Sequence, residues 1–243
     1  MRRFGLLGQT LKHSFSQAFF TEKFRREGRT DHQYENFELD TVRAFPALLE
    51  RYPDLAGLNV TIPYKRDILA YLQELDEPVL AMGACNCIRI RDGKLEGFNT
   101  DHLGFARSLQ PLLGPQHTRA LVLGTGGAAQ AVLYALGKLG IGVSIVSRSG
   151  DADFTYATLT TGDVQAHPLI INTTPLGTWP QVDDLPSIPY EGIGPQHLLY
   201  DLVYNPEVTA FLRNGQERGA VIKNGHEMLV LQAEASWELW NRE

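Results

Sequence analysis

Three short stretches hold residue types at spacings that could do chemistry. In "LVLGTGGAAQ", Gly124, Gly126 and Ala129 fill the three positions of a dinucleotide fingerprint, where alanine is allowed at the third. Ala120 to Leu123 read as the strand before it, Gly126 opens a helix, and "GVSIVSR" supplies the next strand. Such glycines permit a tight turn and let the backbone approach a pyrophosphate, while the helix N-terminus offers free N–H groups. Alone the pattern is weak; its place between strand and helix favours nucleotide binding over a structural turn. The second stretch is "SRSGDAD", at the end of that next strand. NAD enzymes usually carry Asp or Glu there for the ribose 2′-hydroxyl. Here Arg148 stands between Ser147 and Ser149, which suits a 2′-phosphate and points to NADP. Asp151 and Asp153 count against that reading, and a solvated surface arginine is the plain alternative.

The third stretch is "NVTIPYK", residues 59–65. Reducing a ketone takes a hydride at carbon and a proton at oxygen, and a positioned lysine can deliver the proton. Val60 and Ile62 read as a strand, Pro63 ends its pairing, and Lys65 follows at the exit. The candidate orienter is Asp101 in "GFNTDHLGF", an opposite charge that would steady the ammonium. These residues imply a nicotinamide enzyme with a separate substrate domain.

The elements that must position these groups alternate as parallel α/β units do. "RRFGLLGQ", "HQYENFEL" and "LAGLNVTIP" read as strands, while "SQAFFTEKFRREG", "VRAFPALLERYP" and "YKRDILAYLQEL" read as helices. "CNCIRIRDGKLEGFNTD" reads as a hairpin turning at Asp92-Gly93. The expected fold is therefore two α/β domains. Residues 1–102 form the first, 103–117 a helical bridge closed by Gly114-Pro115, and 118–225 a Rossmann-like cofactor domain. The final helix, 226–243, carries Met228, Leu229, Leu231, Trp237, Leu239 and Trp240, too many apolar groups for a free tail.

Composition sets the outer limits. Across 243 residues, 43% are hydrophobic and 21% charged, and the net charge is −6. That charge argues against nucleic acid or an anionic membrane as the main partner. No apolar run approaches the ~20 residues that span a bilayer. "MRRFGLLGQTLKHS" is too interrupted for a signal peptide, so the cytoplasm is the expected location. The two cysteines, Cys85 and Cys87, would share one face of a strand as free buried thiols, and no metal-ligand spacing accompanies them.

Taken in order, these segments resemble the shikimate dehydrogenase family from end to end. "HSFS" resembles its N-terminal substrate loop, implying substrate contacts for Ser14 and Ser16, although either serine could instead cap the helix that follows. "NVTIPYK" implies that Thr61 binds substrate and Lys65 is catalytic, "GACNC" that Asn86 holds substrate hydroxyls, and "NTDHLG" that Asp101 partners Lys65. "GTGGAAQAV" implies pyrophosphate contacts for Gly124, Thr125, Gly126, Gly127 and Ala128, and "INTTPLG" adds Thr173. "YDLVYNP" implies Leu202 near the nicotinamide and Tyr204 near the substrate; "NGHEMLVLQA" implies the same two roles for Gly225 and Gln232. Because Gln232 would meet substrate held mainly by residues 14–101, the final helix is expected to return to the first domain, with the active site in a cleft between domains.

The sequence departs from the family in three respects. Cys87 stands where threonine is common, no second basic residue follows Arg148, and the cofactor domain is short. His13 and His102 flank key residues and match nothing catalytic. The resemblance implies NADPH-dependent reversible reduction of 3-dehydroshikimate to shikimate, on the route to aromatic amino acids. The partner would be a small molecule, with no nucleic acid or membrane, and the protein a monomer or homodimer. Two alternatives stay open: a quinate/shikimate dehydrogenase using NAD, and a non-catalytic dinucleotide-binding regulator. The presence of both Lys65 and Asp101 speaks against the regulator.

Overall fold

The computed structural model describes residues 1–11, 14–150 and 152–242, so His13 and Asp151 lie outside the described residues. Its chain divides into two units, residues 1–101 with 232–243, and residues 102–231.

The first unit contains β1 (Arg2–Gly8), α1 (Phe15–Arg26), β2 (His32–Glu38), α2 (Phe45–Arg51), β3 (Leu55–Val60), β4 (Glu74–Leu75), α3 (Glu77–Met82), β5 (Cys87–Arg91) and β6 (Lys94–Phe98). They form one sheet in the order β2-β1-β3-β5-β6-β4. The two-residue period of β1 explains the layering. Phe4 and Leu6 face a cluster with Phe20, Phe24, Trp237 and Trp240, whereas Leu7 faces one with Phe45, Leu58 and Ile68. Trp240 is 1% exposed and donates from its indole nitrogen to the Ile88 carbonyl at 2.9 Å. The β5–β6 hairpin turns at Asp92 and Gly93 with φ of 51° and 76°, the left-handed pair that an Asp-Gly turn needs.

Two expectations fail in this unit. The helix expected from Tyr64 to Leu75 is a 3₁₀ turn over Asp67–Tyr71 followed by extended β4. The extended chain satisfies the outer edge of β6: Gln73 N donates to the Leu95 carbonyl, and Leu95 N to the Gln73 side chain. Those ladder bonds outweigh helix propensity. Cys85 and Cys87 are free and buried, but they lie in opposite clusters, because the chain bends at Asn86 before β5 begins. Burial pushes the Cys85 thiol up to about 12 and raises Cys87 too, which makes both poor nucleophiles.

The second unit contains most of α4 (Asp101–Leu109), then β7 (Arg119–Leu123), α5 (Gly127–Lys138), β8 (Gly142–Ser147), β9 (Phe154–Thr155), α6 (Thr161–Gln165), β10 (Leu169–Asn172), β11 (Leu198–Asp201), α7 (Ala210–Gln216), β12 (Val221–Lys223) and the start of α8 (His226–Asn241). Its sheet runs β12-β11-β10-β7-β8-β9 with every pairing parallel, so strand order reverses between β7 and β10. This is the doubly wound arrangement, which binds ligands at the carboxyl ends of the strands where the order reverses. Residues 103–117 are not a separate bridge. Phe105 and Leu109 enter this unit's core beside Val122, Tyr200 and Met228, which also places 226–231 here. The turns "GPQH" at 114–117 and 194–197 have one design, with the glycine N–H donating to the histidine Nδ1 at 2.8 and 3.0 Å.

Asp201, at the end of β11, is fully buried and accepts from Asn172 Nδ2, Val203 N and Thr209 Oγ1. Burial outweighs these bonds and pushes its carboxyl from 3.8 up to about 6. The folded state thus keeps a proton that the unfolded chain loses earlier. Stability should fall as pH rises through that window, by about 3 kcal/mol for the two-unit shift. Asp201→Asn should flatten this slope in urea unfolding between about pH 4 and about pH 7. A variant that loses as much stability as the parent over that range contradicts the assignment.

Candidate active site

In the first unit, the backbone around Lys65 is pinned on both sides. β3 ends at Val60, Thr61 N still donates to the Leu7 carbonyl, and Tyr64 N donates to the Thr61 carbonyl. The Tyr64 ring is buried, and the Lys65 carbonyl accepts from Cys85 N at 2.8 Å. The lysine side chain therefore leaves a fixed root, and its Nζ donates to Asp101 Oδ2 at 2.5 Å. The two side chains are 25% and 17% exposed, which shelters the pair yet leaves it reachable. Asp101 begins α4, and its own N–H donates to Asn99 Oδ1. Its second oxygen, Oδ1, accepts from Asn86 Nδ2 at 2.8 Å. Asn86 Oδ1 in turn accepts from Thr100 N at 2.6 Å. Sequence reasoning assigned Asn86 to substrate hydroxyls; here its buried amide is committed to Thr100 and Asp101.

The other expected substrate residues of the first unit lie on separate elements. Ser14 caps α1, its Oγ accepting from Gln17 N at 3.2 Å. Ser16 lies in the first turn of α1 and is partly buried. Thr61 is partly exposed, and Gln232 is buried on α8. His102 stacks edge-on against Tyr134.

In the second unit, a cavity of about 770 Å³ opens at the carboxyl ends of β7, β8 and β10. Gly124, Thr125 and Gly126 form one wall and Ser147, Arg148 and Ser149 another, with Thr173 to Leu176 opposite. Gly124 has φ of 104°, and a Cβ there would lie 2.9 Å from Thr173 Oγ1, so the turn requires glycine. Gly127 and Ala128 start α5 and do not line the cavity, while Ala129 is buried under the helix. The Asp153 carboxylate accepts from Ile145 N on β8 at 2.8 Å.

The exposed glycine loop, the helix start and the arginine with two hydroxyls form a donor set that fits NADP. Sequence reasoning missed Thr174, Pro175, Leu176 and Tyr156 as lining residues. The first three could have been found from their place after β10, at the reversal of strand order. Tyr156 follows β9, whose register (Val146 with Phe154, Ser147 with Thr155) continues toward Arg148, and no glycine or charge pattern announces it.

Leu202 and Gly225 also lie in this unit, outside the cavity lining. Leu202 N donates to the Asn172 carbonyl, and a Cβ on Gly225 would meet the Leu202 carbonyl oxygen at 2.1 Å. The two backbones touch there, and only glycine permits it. Tyr204 is 40% exposed. Among the described residues no helix is long and apolar enough to cross a membrane. Among the described residues no group of His, Cys, Asp and Glu could hold a metal ion.

The family model for the shikimate dehydrogenase substrate binding domain matches residues 6–88. A shikimate dehydrogenase (NADP(+)) of Caldicellulosiruptor bescii is 34% identical over 99% of this chain and 89% of its own length. The solved shikimate 5-dehydrogenase of Thermus thermophilus, in complex with NADP(H) and shikimate, superposes with a TM-score of 0.88 at 30% identity, over 99% of this chain and 94% of that one. A quinate dehydrogenase from Corynebacterium glutamicum in complex with NAD has the same TM-score at 25% identity, covering 99% and 93% of the two chains.

Proposed function

The chain belongs to the shikimate dehydrogenase family, and on that premise we propose that it reduces 3-dehydroshikimate reversibly to shikimate with NADPH. It is an oxidoreductase acting on a CH–OH group. The observation that carries this reading is the Lys65 Nζ–Asp101 Oδ2 pair at 2.5 Å. A non-catalytic regulator has no use for a positioned ammonium.

Bound NADPH supplies the hydride; the residues of the chain supply the rest. Lys65 Nζ gives its proton to the oxygen at the substrate's 3-position as that oxygen gains negative charge, and takes it back in the oxidative direction. Asp101 fixes the lysine's direction and balances its charge. Ser14, Ser16, Thr61 and Gln232 bring hydroxyl and amide groups that both donate and accept, which a trihydroxy carboxylate needs. Asn86 contributes through Asp101, and Tyr204 offers the substrate a further hydroxyl. Gly124 to Ala128 receive the pyrophosphate at the start of α5, with Thr173 facing Gly124 across the turn. Leu202 and Gly225 form the backbone platform for the nicotinamide. The protein works in the cytoplasm, as a monomer or homodimer, in keeping with its free thiols and its cofactor.

Arg148 grips the 2′-phosphate, with Ser147 and Ser149 adding hydroxyls. A charge-assisted hydrogen bond is worth about 1.5–3 kcal/mol, so NADP should be preferred over NAD by roughly 10- to 100-fold. Arg148→Ala should raise KM for NADPH by that factor and leave NADH almost unaffected. Equal losses with both cofactors mean that Arg148 supports the fold and does not read the phosphate. The overall reading is tested by following oxidation of shikimate and of quinate, each with NADP and with NAD. Fastest turnover should come with shikimate and NADP. Fastest turnover with quinate and NAD would replace this reading with the quinate one.

A further inference from the structure

Behind the Lys65–Asp101 pair, a buried line of hydroxyls and amides continues into the first unit. Asn86 Nδ2 lies 3.0 Å from Thr100 Oγ1, and Thr100 Oγ1 lies 3.1 Å from Ser236 Oγ on α8. Ser236 Oγ also accepts from Asn59 Nδ2 at 2.9 Å, and Asn59 Oδ1 accepts from Tyr34 Oη at 2.9 Å. Thr100 and Ser236 are fully buried, and Asn59 and Asn86 nearly so. Water cannot replace a lost partner here.

The proton directions along this line are fixed by its ends. The Ser236 hydroxyl donates to the Gln232 carbonyl at 3.0 Å, so between Ser236 and Thr100 the donor is Thr100. With its proton on Ser236, Thr100 Oγ1 presents a lone pair to Asn86 Nδ2. Without Ser236, the acceptor left beside the Thr100 hydroxyl among the described residues is Asn86 Oδ1, at 3.2 Å. Turning there, the hydroxyl meets both ends of the one amide from a single side, so its hold on Asn86 Nδ2, which also reaches Asp101 Oδ1, weakens.

We propose that Ser236 is a positioning residue for the Lys65–Asp101 pair: it takes the Thr100 proton, which keeps the Asn86 amide aimed at Asp101, and through Asn59 it ties that aim to Tyr34. A serine far from Lys65 in sequence, on the helix that also carries Gln232, thereby sets the direction of the proton donor. The consequence for turnover rests on the reductase reading above; the effect on the Asn86 amide does not.

The test uses the full chain and the hydroxyl deletions Ser236→Ala and Thr100→Val, the second nearly isosteric. In ¹H–¹⁵N spectra the Asn86 side-chain protons should exchange slowly with solvent in the parent and markedly faster in both variants. With 3-dehydroshikimate and NADPH, each variant should lose about tenfold in kcat, the weight of one hydrogen bond, with KM for NADPH unchanged. Both deletions cut the same line, so the double variant should lose no more than either single one. A merely structural role would lower Tm and leave kcat alone. Parental kcat in folded Ser236→Ala, additive losses in the double variant, or unchanged Asn86 exchange would each overturn the proposal. Should Ser236→Ala not fold, Thr100→Val carries the test. Should the parent fail to reduce 3-dehydroshikimate, the reductase reading falls, and Asn86 exchange still decides the positioning claim.

Discussion

Lys65→Ala should lower kcat for 3-dehydroshikimate reduction by about 10²–10⁴, the usual span for a positioned acid–base group. Its KM values should move little, because the substrate contacts proposed for Ser14, Ser16, Thr61 and Gln232 remain. The Lys65 ammonium is 2.5 Å from Asp101 and its backbone is tied to Cys85, so the lysine is held where it stands, with little entropy left to lose during reaction. Steady-state kinetics in both directions check this. An unchanged kcat with a raised KM would make Lys65 a binding residue and remove it from the chemistry.

Deleting residues 226–243 should leave a chain that does not fold. Trp240 is 1% exposed and stacks on Phe4 with ring centroids 4.9 Å apart, and Phe20 lies 5.3 Å away. Trp237 packs on Phe4 and Phe24, and Ala233 completes the same cluster. Truncating one buried tryptophan to alanine costs about 3–5 kcal/mol, against a total stability of about 5–15 kcal/mol for a typical domain. Losing both, and the Ser236 and Gln232 positions with them, exceeds that margin. Trp240→Ala alone should lower the unfolding midpoint sharply while leaving the folded fraction active. A truncated protein that keeps its thermal transition and full turnover contradicts this account of α8.

Legibility in the sequence followed the range of the contacts. Short-range signals read well: the glycine turn at Gly124 and the Asp92-Gly93 hairpin each depend on a few neighbouring residues. They were enough for two α/β units and for a doubly wound cofactor sheet. Where a neighbour from another element decides the outcome, the reading failed. Residues 72–75 look helical, yet they extend because β6 has an edge to satisfy. Cys85 and Cys87 look like one strand face, and the bend at Asn86 separates them. The commitment of Asn86 to Asp101 depends on Thr100 and Ser236, and Ser236 lies 136 residues beyond Thr100. Tyr156 reaches the cavity only because β9 adds an edge strand beside β8. No spacing rule reaches that far.

The measurement closest to the central claim is NADPH consumption with 3-dehydroshikimate, the parent run beside Lys65→Ala and shikimate identified as product. The account predicts one shikimate formed per NADPH consumed, with turnover falling at least about a hundredfold in the variant, the lower end of the range for a lost acid–base group. NADP binding without turnover in the parent, or a variant as fast as the parent, would contradict it.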